Sequence, residues 1–131
     1  MTIVAGFVNT AEGRAALARA TIEARLREAK LVVVHSTREN ESAEDTVAYQ
    51  EALSEIEREL EEAAIPHAVH YLARGNSPCE DLIRVATEEG ADMIVIGLRR
   101  RSPVGKALLG SNAQSILLEA DCPVLGVKAS E

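Results

Sequence analysis

Apolar side chains concentrate in five short runs, at residues 3–8, 31–35, 67–74, 92–97 and 122–128, and between them they recur every three or four positions. That alternation predicts an α/β domain around a mostly parallel sheet, each run a strand and each intervening stretch a helix. Ile3-Val-Ala-Gly-Phe-Val8, Leu31-Val-Val-Val-His35 and Met93-Ile-Val-Ile96 are nearly unbroken apolar runs, as strands covered on both faces must be. They are expected in the sheet interior. His67-Ala-Val-His-Tyr-Leu-Ala-Arg74 mixes polar and apolar positions and suits an edge strand.

The helix ends are written in local chemistry. Ser77-Pro78-Cys79-Glu80 offers an N-cap serine, a proline at the first helical position and a glutamate three residues after the cap, with Gly90 as the stop, which predicts a helix over 78–89. Between Ser42 and Pro66, Tyr49, Leu53, Ile56, Leu60 and Ala63 step by four, three, four and three and form one buried stripe. A first helix, about 11–28, follows Thr10 and turns Ala16, Leu17, Ala20 and Ala24 inward. For the last helix, Ser111-Asn-Ala-Gln114 reads as a second capping box, with Ser111 the N-cap and Ala113, Ile116, Leu117 and Ala120 inward.

Composition narrows what such a domain can do. In 131 residues there are 14 basic against 21 acidic side chains, so the net charge of -7 opposes a surface that must neutralise a nucleic-acid backbone or an anionic membrane. The only aromatic residues are Phe7, Tyr49 and Tyr71, too few for a base-stacking platform. Cys79 and Cys122 stand far apart and form no metal-binding or redox pair; both are expected as small buried residues. With no targeting segment or long uncharged span in view, the expected location is cytoplasmic. The ten carboxylates within residues 39–62 are read as a solvated helix face. His67 and His70, three apart on a strand, point to opposite faces, so with His35 they give no metal-ligand set.

The average charge conceals a division. Residues 1–65 carry 7 basic and 13 acidic side chains, whereas residues 66–131 carry 7 and 8, and from Leu98 to Leu118 there is no acid at all. Arg99, Arg100, Arg101 and Lys106 fall inside that stretch, in Gly97-Leu-Arg-Arg-Arg-Ser-Pro-Val-Gly-Lys-Ala-Leu-Leu-Gly-Ser111. The segment leaves the end of a buried strand and leads into a helix N-terminus, where free N–H groups favour an anion. It is neither a Gly-x-Gly-x-x-Gly fingerprint nor a Walker A loop, since Lys106 precedes Ala107 and no hydroxyl stands ready for magnesium. An arginine-rich surface loop with no ligand is the other reading of the same residues.

This loop, its Leu-Leu-Gly-Ser ending, Ala120-Asp-Cys-Pro-Val-Leu-Gly-Val127, Arg14-Ala-Ala-Leu17, and Ala91-Asp-Met-Ile-Val-Ile-Gly97 together resemble the universal stress protein family over essentially the whole of residues 1–131. The resemblance implies a single-domain, open five-stranded parallel sheet in the order 3-2-1-4-5 with helices on both faces, of the adenine nucleotide alpha hydrolase-like type. It also implies a homodimer paired through the last strand, Pro123–Lys128. ATP-binding members carry Gly-x-x-Gly, nine residues, then Gly-Ser or Gly-Thr. Gly97, Gly110 and Ser111 match, but Arg100 stands at the second glycine, where its bulk either obstructs a phosphate or its guanidinium binds one. Val8 stands where such relatives place an Asp near adenine, and Asn9 beside it offers a donor and an acceptor.

The implied ligand is ATP or AMP, with Mg2+ arriving only on the nucleotide. Phe7, Val8, Asn9 and Ser36 would line the adenine side, Arg99, Arg100 and Arg101 would neutralise charge, and Gly97, Gly110, Ser111 and Asn112 would receive phosphates and ribose, with Ile96 also counted among the binding residues. No catalytic residue is assigned, and at most slow ATP hydrolysis is expected. The alternative is a dimeric interaction or regulatory module that does not bind ATP, favoured by Arg100 and Val8.

Overall fold

A computed structural model of the chain describes residues 1–8, 10–36, 42–72, 77–98 and 110–129. Strands β1 (Thr2–Phe7), β2 (Lys30–Ser36), β3 (His67–Leu72), β4 (Met93–Leu98) and β5 (Val124–Lys128) alternate with helices α1 (Ala11–Arg27), α2 (Ala43–Glu62), α3 (Pro78–Glu89) and α4 (Ser111–Glu119). All strand pairs are parallel, in the order β3-β2-β1-β4-β5. The predicted architecture and strand order are therefore those of the molecule, with β3 at one edge and β5 at the other. Strand ends shift by one or two residues from the apolar runs, and residues 73 and 74 of the third run lie outside the described residues.

Alternation along the strands divides the core in two. Ile3, Ala5, Phe7, Leu31, Val33 and Val95 face α1 and α2, packing on Ala16, Leu17, Ala20, Leu53 and Leu60. Val4, Val32, Val34, Ile94 and Ile96 face α3 and α4, packing on Cys79, Leu82, Val85, Ala113 and Ile116. The largest fully buried side chains are Ile, Leu and Val, each contributing about 1.5–3 kcal/mol of burial. The inward set expected for α1 (Ala16, Leu17, Ala20 and Ala24) is buried throughout.

The caps mostly follow the local chemistry. Thr10 caps α1, its Oγ1 accepting from the Gly13 N–H at 3.1 Å, and Ser77 caps α3 by accepting from the Glu80 N–H, also at 3.1 Å. For α4 the expectation needs correcting. Its N-cap is Gly110, whose carbonyl accepts from the Gln114 N–H at 3.0 Å, so the first turn closes one residue earlier and Ser111 is the first helical residue rather than the cap. Cys79 is buried as expected, but Cys122 is only half-buried, in the turn before β5. No described helix is long and apolar enough to cross a membrane.

Candidate functional site

At the carboxyl ends of β1, β2 and β4 the chain encloses a cavity of about 300 Å³. Its apolar part is built by Gly6, Phe7, Val8, Val34, Leu82, Ile96 and Ile116; its rim by Thr10, Glu12, Pro78, Gly97, Gly110, Asn112 and Ala113. This is the place where an open parallel sheet receives ligands, because the connections leave the strand ends in divergent directions there. The N-terminal turns of α1, α3 and α4 all contribute to the rim, so the positive ends of three helix dipoles meet at one opening. A second concavity, about 280 Å³, separates α1 from α2 on the other side of the sheet, with Arg14, Glu55 and Glu59 at its margin.

Two glycines allow α1 to close over the strand ends. A Cβ on Gly13 would fall 1.8 Å from the Val8 carbonyl oxygen, and one on Gly97 would fall 2.4 Å from the Glu12 carbonyl oxygen. The first turn of α1 therefore lies directly on the end of β1 and on β4, and any side chain at either position would wedge it away. Gly97, singled out as a phosphate-loop glycine, has a packing reason of its own. Gly110 is different: its φ of -60° suits any residue, and among the described residues nothing lies within 4 Å of where its Cβ would be.

The cavity brings together Phe7, Val8, Ile96, Gly97, Gly110 and Asn112 from the residues singled out by sequence. Ser36 ends β2, and Ser111 opens α4 immediately after Gly110. Asn9, Arg99, Arg100 and Arg101 lie outside the described residues. Val8 is 39% exposed, an apolar side chain at the mouth of the opening. The wall formed by Thr10 and Glu12 was not anticipated, because it depends on the close approach of α1, which no local pattern reveals. The only hint was Gly13 itself, an unfavourable residue inside a helix.

Titratable groups around the core are held by burial. His35, at the end of β2, is 3% exposed, and burial pushes its pKa down to about 4, so its imidazole is neutral at physiological pH. Burial raises both thiols, with Glu119 adding to the effect at Cys79, whose Sγ lies 3.4 Å from Oε2 of that residue. Neither is an activated nucleophile. Among the described residues no cluster of His, Cys, Asp and Glu could hold a metal ion.

Similarity to known proteins covers nearly the whole chain. The model of the Universal stress protein family matches residues 1–128. A universal stress protein of Mycolicibacterium smegmatis is 35% identical over 126 residues, with 96% of each chain covered. A solved universal stress protein from Archaeoglobus fulgidus superposes with a TM-score of 0.79 at 36% identity, over 98% of both chains. Another structure of the universal stress protein from that organism, in complex with dAMP, gives 0.71 at 32% identity over 98% of both. The strand order, the cavity at the strand ends and the full-length similarity lead to one assignment: this chain belongs to the universal stress protein family.

Proposed function

We propose that the chain is a cytoplasmic stress-response module that binds an adenine nucleotide, ATP or AMP, in the cavity at the strand ends and acts as a homodimer. The observation that carries this reading is Gly110. It heads α4 on the cavity rim with no described atom within 4 Å of where a side chain would begin and no strained dihedral, and the N-cap role it fills is served as well by Ser, Asp or Asn, so neither packing nor backbone geometry among the described residues requires glycine there. A ligand phosphate approaching the backbone does. The volume of about 300 Å³ and the apolar floor with a polar rim suit a small molecule with one flat apolar part and one charged end. The dAMP complex of a relative 32% identical supports a ligand of this class.

In this reading Gly97, Gly110, Ser111 and Asn112 receive phosphate and ribose, and Arg99, Arg100 and Arg101 neutralise charge. Phe7, Val8, Asn9, Ser36 and Ile96 surround the base. Magnesium comes with the nucleotide, and the chain supplies binding rather than chemistry. Denaturing release from purified protein followed by mass analysis, together with thermal-shift titration by ATP and AMP, tests it. Wild type should be stabilised and Gly110→Asp, which sets a carboxylate against the phosphate, should lose that response; absence of bound nucleotide and of any shift at millimolar ligand overturns the reading. Phosphate release measured for both proteins tells whether hydrolysis belongs to the chain.

Val8 favours a second reading, a dimeric interaction or regulatory module without ATP. An exposed apolar side chain at the mouth of the cavity gives adenine no hydrogen bond. That module would keep its dimer and thermal stability unchanged in Gly110→Asp and would not respond to nucleotide in either form.

A further inference from the structure

Glu12 has the only ionisable side chain among the described residues lining the cavity. Its position follows from the close approach of α1: a Cβ on Gly97 would sit 3.1 Å from the Glu12 Cβ, so Glu12 stands over the end of β4 instead of projecting away from the sheet. Across the cavity the order is Val34 on β2, Gly6 on β1, then Ile96 and Gly97 on β4, with the N-terminus of α4 at the far side. Glu12 thus stands between the apolar end and the Gly110 end.

We infer that Glu12 is a specificity-determining residue that selects a ligand bearing hydroxyl donors in its middle, between a flat apolar part and an anionic end: a ribonucleotide in preference to its deoxy counterpart. This rests on the nucleotide-binding reading above. A carboxylate is an acceptor only, so it is matched by a sugar hydroxyl and opposed by a phosphate oxygen. Thr10 Oγ1, on the same wall, accepts from the Gly13 N–H at 3.1 Å, which leaves it one lone pair against the roughly four of a carboxylate. Among the described residues that line the cavity, Phe7, Val8 and Ile96 present apolar side chains that can neither accept from a hydroxyl nor compensate for its desolvation.

The test is calorimetric titration of wild type and Glu12→Gln with AMP, 2′-deoxy-AMP and 3′-deoxy-AMP, with and without Mg2+. Wild type should favour AMP over at least one deoxy analogue by tenfold or more, as removal of a donor from a charged acceptor implies. In Glu12→Gln that ratio should fall below threefold, while the melting temperature without ligand stays within a degree or two. An unchanged ratio in a variant that still binds AMP overturns the inference and leaves the nucleotide reading standing. So does an effect confined to Mg2+ dependence, which would place the carboxylate at the phosphate end. Failure of wild type to bind any of the three overturns both.

Discussion

His35 shows how a single residue couples this fold to pH. It lies opposite Phe7 on β1 and Tyr71 on β3 in the sheet register, and the two-residue alternation of β2 turns it to the side covered by α1 and α2. Folding removes it from water, so its pKa falls from the ordinary 6.5 to about 4. Between those values the unfolded chain binds a proton that the folded chain refuses, so stability rises with pH across this window. The contribution is complete above pH 6.5 and is lost progressively as pH falls toward 4, with a full size of about 3 kcal/mol. Urea midpoints measured from pH 7 to 4.5 should decline, and the decline should be shallower in His35→Gln. Equal slopes would show that the carboxylates alone set the acid limit. The sequence placed His35 at a strand end but could not reveal its desolvation, which depends on how α1 and α2, the helices flanking β2, fold back over that side of the sheet.

At the scale of elements, the strands, the inward face of α1 and two of the caps were legible because each is set by residues within a turn or two of one another, whereas Leu117 of α4, expected inward, is 44% exposed. Ser77, Pro78 and Gly90 bound α3 at the residues expected of them. The α4 cap was misplaced by one position because Gly110 and Ser111 both accept that role in local terms, and the closing hydrogen bond to Gly110 decides between them. The seating of α1 was not legible at all. Of its two halves, Gly97 against the Glu12 carbonyl is a long-range contact, and Gly13 against the Val8 carbonyl is local but leaves no periodic signal. It also reverses an ordinary rule. Glycine to alanine inside a helix normally gains about 1 kcal/mol. Gly13→Ala should instead destabilise by about 3 kcal/mol, because its Cβ would overlap the Val8 carbonyl oxygen at 1.8 Å and the turn must lift. Chemical denaturation of Gly13→Ala beside Gly110→Ser checks this: the second variant keeps a good N-cap and meets no described atom within 4 Å of its Cβ, so it should stay within about 0.5 kcal/mol of wild type.

For the whole molecule, the open edge of the sheet matters most. Among the described residues β5 pairs with β4 on one side only, and Val124, Leu125 and Val127 are half-buried. In the proposed homodimer a second copy of the same strand would pair with this edge across a two-fold axis. Light scattering at micromolar concentration should give twice the 14.0 kDa chain mass, and a monomer that persists across the concentration range would contradict pairing through Pro123–Lys128.

Because all five strands run the same way, the two poles of the sheet differ in construction. Where strands begin, backbone hydrogen bonds tie the entering segments to one another: Lys30 N–H to Met1 O, Leu31 N–H to Pro66 O, Asp92 N–H to Thr2 O and Ile94 N–H to Pro123 O. At the opposite pole lie the longer connections and the cavity. A relative's β4–α4 connection could thus be transplanted between Leu98 and Gly110 without disturbing any of those four ties, exchanging one loop while the chassis, Glu12 included, stays fixed.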